Sequence, residues 1–296
     1  MTIFNFSNIF TYLFIIVIFN TLLFLFATKK KDNSIIDIFY SSLFMLSIST
    51  AYIYATFFEY NISNFNIYST ILLIMVIIWG VRLGSRIYKK NAGKPEDFRY
   101  AAWRMLWLQK GKLYFYTRSY LQIFLLQGVI AFCISLPAII FMLNVENINN
   151  NLLFVSIFVL GFIIWIVGFL FEYFGDNQLD DFLKDKVRLE KERIMTSGLW
   201  KYTRHPNYFG ESTQWIGIYI IFSALIITSN IDIYSKFCLL SISFIISPLL
   251  ITYLLRYVSG VPMLEKRWDN DPSEKIGNIW LEYKNKTPVM FPKFFK

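Results

Sequence analysis

LLFVSIFVLGFIIWIVGFLFEYF, residues 152–174, carries no charged side chain until Glu172. Twenty residues of this kind in an α-helix rise about 30 Å, the thickness of a bilayer's hydrocarbon core. Six further apolar segments of spanning or nearly spanning length lie at about 9–28, 36–57, 67–83, 120–143, 213–229 and 236–255. Composition agrees with that reading, because 56% of the 296 residues are apolar and only 17% are charged. A soluble domain carries about 25% charged residues. The sequence therefore predicts an all-α, polytopic membrane bundle of about seven transmembrane helices, forming a single integral membrane domain over 1–296. The first segment reads as a retained helix and not as a signal peptide, since residues 1–8 carry no basic side chain and Lys29-Lys30-Lys31 follows the run.

Orientation follows from the basic residues, which stay on the cytoplasmic side. Lys29–Lys31, the segment 82–118, the segment 175–212 and the tail 256–296 together hold 28 of the 29 Lys and Arg residues, and only Lys236 falls on the other side. Seven spans with the amino terminus out and the carboxyl terminus in satisfy this distribution. The formal charge of +9 is then a cytoplasmic surface facing anionic lipid, and no nucleic-acid partner is implied. Two cysteines inside apolar runs, Cys133 and Cys238, and one histidine, His205, leave no disulfide framework and no Cys- or His-rich metal site.

The densest polar cluster runs from the end of the fifth span into the sixth. Glu172, Asp176, Asp180, Lys184 and Arg188 recur every four residues, one drifting stripe on a helix leaving the membrane. The last three read equally well as a solvated face. Glu172 stands apart, because a carboxylate at the membrane boundary is expensive without a partner. Farther on, Gly198 marks a turn and Pro206 fits only the first turn of a helix. Arg204, His205, Asn207 and, one turn later, Glu211 then crowd a helix amino terminus, where free N–H groups and a partial positive charge suit an anion. Tyr202 and Tyr208 also fit an aromatic belt, and Trp79, Trp107, Trp165 and Trp280 fit packing or interface roles.

Residues Gly198–Trp215, with RHPNYFGE at 204–211, resemble the carboxy-terminal signature of the steroid 5-alpha-reductase-like membrane family, in its uncharacterised branch. The same likeness covers Glu172-x-x-x-Asp176-x-Gln178, PEDFRYAAWR at 95–104, LLQG at 125–128 with SLP at 135–137, and SGVPMLEK at 259–266. It extends over residues 72–295, with cofactor-binding loops at 84–119 and 175–212 and the tail 256–296. The resemblance implies a membrane oxidoreductase that uses NADPH to reduce a conjugated carbon–carbon double bond of a sterol-like or other lipid substrate. Its cofactor contacts would fall on Glu172, Asp176, Arg193, Asn207, Glu211 and Tyr283, with Arg204, His205 and Tyr208 in the shared RHP motif. Position 172 is Glu where the steroid reductases have Asn. The Gln–Glu pair with which those enzymes polarise a substrate carbonyl has no counterpart, and no proton donor is selected among 19 tyrosines.

RHPxY also occurs in isoprenylcysteine carboxyl methyltransferases and phospholipid methyltransferases. An S-adenosylmethionine-dependent methyltransferase acting on a lipid or prenylated acceptor is therefore the alternative, and a non-catalytic membrane protein the third reading. S-adenosylmethionine carries no phosphate, so the arginines of loop 82–118 favour the reductase. The expected environment is a bacterial inner membrane or the endoplasmic reticulum.

Overall fold

A computed structural model describes residues 9–59, 66–270 and 274–294. Among them all regular structure is helical, with seven helical segments long and apolar enough to cross a membrane. The protein is an integral, multi-pass membrane protein by this measure. Its contacts divide it into two compact units, residues 1–149 with 229–232 and residues 150–228 with 233–296.

The first unit contains α1 (Ile9–Lys30), α2 (Ile35–Tyr54), α3 (Ile67–Asn91), α4 (Phe98–Leu108), α5 (Lys112–Arg118) and α6 (Leu126–Leu143). α2 packs against α1, α3 and α6. Sequence signals set the helix starts. Asn66 caps α3 by accepting from the Tyr68 and Ser69 amides, and Asp97 caps α4 by accepting from the Arg99 amide. Between α5 and α6 the chain adopts a π-helical turn, Ser119–Leu125, whose Phe124 carbonyl accepts from Asn20 Nδ2 at 3.0 Å. Asn20 thereby places its own buried amide on a backbone carbonyl of the widened turn.

Polar groups also gather where α2 begins and α4 starts. Tyr100 Oη donates to Asp37 at 2.5 Å, Arg99 spans Asp37 and Asp97 at 2.8 Å each, and Arg104 pairs with both oxygens of Glu96 at 2.8 Å. Burial works against the Arg99 charge, but Asp97 and Asp37 outweigh it and raise its pKa. Burial and Asp37 together push the Tyr100 phenol well above its usual value. Most of segment 84–119, expected as a loop, is thus helix tied by ion pairs.

The second unit contains α7 (Leu152–Lys184), α8 (Lys186–Glu192), α9 (Pro206–Thr228), α10 (Ile233–Phe244), α11 (Leu250–Tyr253), α12 (Val261–Asp269) and α13 (Glu274–Lys286). α7 and α9 form its spine. Gly161, Gly168 and Gly175 on α7 and Gly210 and Gly217 on α9 recur every seven residues, so each set lies on one stripe. A Cβ at Gly210 would stand 2.4 Å from the Glu172 amide nitrogen and 2.5 Å from the Gly168 carbonyl; one at Gly217 would stand 2.6 Å from the Gly161 carbonyl. The two backbones touch because these side chains are missing, as expected where small residues let helices approach closely in a membrane.

Two helices extend past their apolar windows, as Pro206 and the stripe from Glu172 predict. α9 starts at Pro206, seven residues before the apolar segment at 213, and α7 runs ten residues beyond 174. Hydropathy locates apolar windows, whereas a helix continues until a residue stops it. Here Pro206 opens one helix and Asp185, in an extended conformation, closes the other. The stripe from Glu172 therefore ends at Lys184, and the backbone at Arg188 belongs to α8. Pro248 coincides with a π-helical turn, Ile245–Leu249, in the last span.

Candidate functional site

The polar residues of the second unit form two groups at the amino end of α9. The first lies between α7 and α9. Asn207 Nδ2 donates to Asp176 at 3.1 Å, and Gln214 Nε2 donates to Glu172 at 2.5 Å. Glu172 and Asp176 are each 2% exposed. Glycine packing brings them there: Gly175 lies against Pro206 and Asn207, and Gly210 against Glu172 itself. Glu172, the carboxylate singled out at the membrane boundary, thus has its partner in Gln214. Asn207 and Glu211 follow at one-turn spacing on α9, and Glu211 is buried.

Because Asp176 and Glu172 accept, the amide nitrogens of Asn207 and Gln214 must point toward them. Their oxygens then point away, and Asn207 Oδ1 and Gln214 Oε1 are buried without a hydrogen-bond partner. Ser212 Oγ and His205 Nδ1 are in the same condition. Four buried polar atoms over roughly 10–15 Å of chain, all able to accept, are more than satisfied interiors leave bare.

The second group is a clamp. Arg204 binds Glu265 through Nε at 2.9 Å and Nη2 at 3.2 Å, while Nη1 donates to the Lys284 and Thr287 carbonyls at 2.7 and 2.9 Å. Four of its five donors are used inside the protein. His205 Nε2 contacts the same Glu265 oxygen at 2.9 Å, and its ring stacks on Tyr208 with centroids 5.3 Å apart. Burial pushes the His205 pKa below its usual value, outweighing the Glu265 carboxylate, and the Arg204 and Arg256 charges add to the effect. The neutral ring carries its proton on Nε2 and donates it in a hydrogen bond to Glu265, which leaves Nδ1 as an acceptor.

The tail closes this group. Tyr283 Oη donates to the Trp200 carbonyl at 2.6 Å, the Arg204 amide donates to the Pro288 carbonyl at 2.9 Å, and the Lys293 amide donates to the Tyr202 carbonyl at 3.0 Å. Burial raises the Tyr283 pKa, as suits a phenol held as a donor. The irregular aromatic tail therefore lies across residues 200–204. The four tryptophans at 79, 107, 165 and 280 are all buried and serve packing.

Of the nine expected site residues, Glu172, Asp176, Asn207 and Glu211 share the α7–α9 spine, while Arg204, His205, Tyr208 and Tyr283 build the clamp. Arg193 stands apart, exposed at the end of α8 with φ of 63°. Lys201 is also exposed. Two participants escaped the sequence reading. Gln214 was visible as a polar residue within a span, and Glu265 as the one acidic residue of SGVPMLEK, but neither spacing names its partner. The seven-residue glycine period was a third signal, legible in the sequence.

No curated protein and no solved structure matches this chain significantly. One family model does match, over residues 23–287, with the description "Protein of unknown function (DUF1295)". That match covers the α7–α9 spine, the RHP motif, Glu265 and Tyr283, and the chain belongs to the DUF1295 family.

Proposed function

We propose that this protein is a membrane reductase that uses NADPH to reduce a conjugated carbon–carbon double bond of a sterol-like or other lipid substrate. The observation that carries the reading is the acceptor-rich start of α9. Buried oxygens of Asn207, Gln214 and Ser212, with Nδ1 of His205, call for a ligand that presents N–H and O–H donors. A carboxamide and ribose hydroxyls fit that demand; a phosphate, which only accepts, does not. The cofactor's phosphates call for cations instead, and Arg193 and Lys201 are exposed on the same unit with no ion pair among the described residues. The likeness of RHPNYFGE and its companion motifs to the steroid 5-alpha-reductase-like family supports the same reading.

When bound, NADPH supplies the hydride. The chain's own residues bind and orient: Asp176 and Glu172 fix the Asn207 and Gln214 amides, Glu265 fixes the His205 tautomer, and the tail closes over residues 200–204. One observation favours the methyltransferase as the second reading. Arg204 is spent on Glu265 and two carbonyls, which removes a cation from the phosphate side, and the ammonium and ribose of S-adenosylmethionine also present donors. Replacing Asn207 or Glu211 with Ala separates ligand contact from scaffolding. NADPH affinity should fall roughly tenfold in either folded variant, with a loss of stability of no more than about 1–3 kcal/mol where Asn207→Ala takes a hydrogen bond from Asp176. Unchanged affinity, or failure to fold, would assign these residues to structure alone.

A further inference from the structure

An open apolar groove of about 430 Å³ lies in the first unit, lined by Phe19 of α1 and by Phe39, Ser42, Met45, Leu46 and Ser49 of α2. The α2 residues recur at three- and four-residue steps, so the groove runs along the helix, not across it. Ten residues from Phe39 to Ser49 rise about 15 Å, half of a hydrocarbon core and therefore the depth of one leaflet. On α1, Phe19, Phe26 and Lys30 are seven and eleven residues apart and share one stripe, with Lys30 Nζ lying 5.8 Å from the Phe26 ring centroid. Lys29 and Lys31 are exposed beside it at the end of the helix. One wall of the groove thus runs toward a cluster of three ammonium groups.

We propose that this groove is a binding site for an anionic phospholipid, with one acyl chain along Phe39–Ser49 and the headgroup phosphate at Lys29–Lys31. The chemistry divides along the length: the lining is almost wholly apolar, and the charge is confined to one end. Each lysine near a membrane surface contributes roughly fivefold in affinity for anionic lipid. The inference does not depend on the reaction proposed above.

The test is thermal unfolding of the full chain in a neutral detergent, with dioleoyl phosphatidylglycerol, dioleoyl phosphatidylcholine or glycerol 3-phosphate added. Phosphatidylglycerol should raise the midpoint well above phosphatidylcholine at equal mole fraction, and glycerol 3-phosphate should leave it unchanged. Filling the groove by Ser42→Trp with Ser49→Phe should abolish the response to both lipids. Lys29→Gln with Lys30→Gln should remove the advantage of phosphatidylglycerol and keep the smaller response to phosphatidylcholine. Those two lysines are exposed, so this variant carries the test if the filled groove fails to fold. Equal responses of the wild type to the two lipids, a headgroup effect without chains, or an unaltered response in a folded variant would overturn the proposal.

Discussion

Two Arg–Glu pairs in this molecule look alike on paper and differ in what they hold. Arg104 and Glu96 are eight residues apart, meet at 2.8 Å through two bonds, and keep 20% and 10% of their side chains exposed. Glu96 also accepts from the Asn33 amide at 2.7 Å, so this pair ties the start of α4 to the α1–α2 turn. Arg204 and Glu265 are 61 residues apart, with side chains 6% and 9% exposed. They join the start of α9, helix α12 and the tail after α13, with His205 on the same carboxylate. The difference is water. The two carboxylates are about equally buried, but Arg104 keeps 20% of its side chain exposed and can turn to solvent when it loses its partner, whereas Arg204, at 6%, cannot.

The largest expected effect follows directly. Glu265→Ala strands the Arg204 charge and should cost roughly 3–5 kcal/mol, seen as a fall of roughly 5–10 °C in the unfolding midpoint. Gly210→Ala comes next, because its new methyl meets the Glu172 backbone, which cannot rotate away. A loss of roughly 1–3 kcal/mol is expected. Gly84→Ala in the first unit is the control, since its methyl would meet the Ser41 hydroxyl at 3.0 Å, and its effect should be smaller. Glu96→Ala should cost about 1–2 kcal/mol, because Arg104 retains access to water. If Glu96→Ala proved as damaging as Glu265→Ala, the distinction between the two pairs would fail.

The smallest effect concerns pH and only the second pair. His205 has a folded pKa below the usual 6.5, so the unfolded chain takes up the proton first as pH falls. Its contribution to stability is complete above 6.5 and is lost as pH drops through the window beneath. The midpoint should decline as pH falls below about 6.5 in the wild type and decline less in His205→Gln. The chain has no other histidine, which makes the comparison clean. Equal slopes for the two proteins would contradict the buried neutral ring.

The spans were legible because a 20-residue apolar window has one cheap solution in a bilayer. The start of α9 was legible from Pro206. Asn207 with Asp176 was only half legible, since each stood out by its chemistry but their meeting depends on glycines 35 residues apart, Gly175 and Gly210. The Arg204–Glu265 pair was illegible from spacing, as a separation of 61 residues carries no periodicity. Tyr100 with Asp37 was missed for the same reason, although PEDFRYAAWR marked the segment.

If the acceptor-rich start of α9 receives a nicotinamide cofactor, unfolding of the purified protein must respond to NADPH, and it is best followed with NADPH, NADH and S-adenosylmethionine side by side. A ligand at a hundred times its dissociation constant stabilises the folded state by about 2.7 kcal/mol, enough to move the midpoint by several degrees. NADPH should raise the midpoint and S-adenosylmethionine should not, and the rise should be diminished in Asn207→Ala. A rise with S-adenosylmethionine alone would contradict the reductase reading and make this protein a methyltransferase.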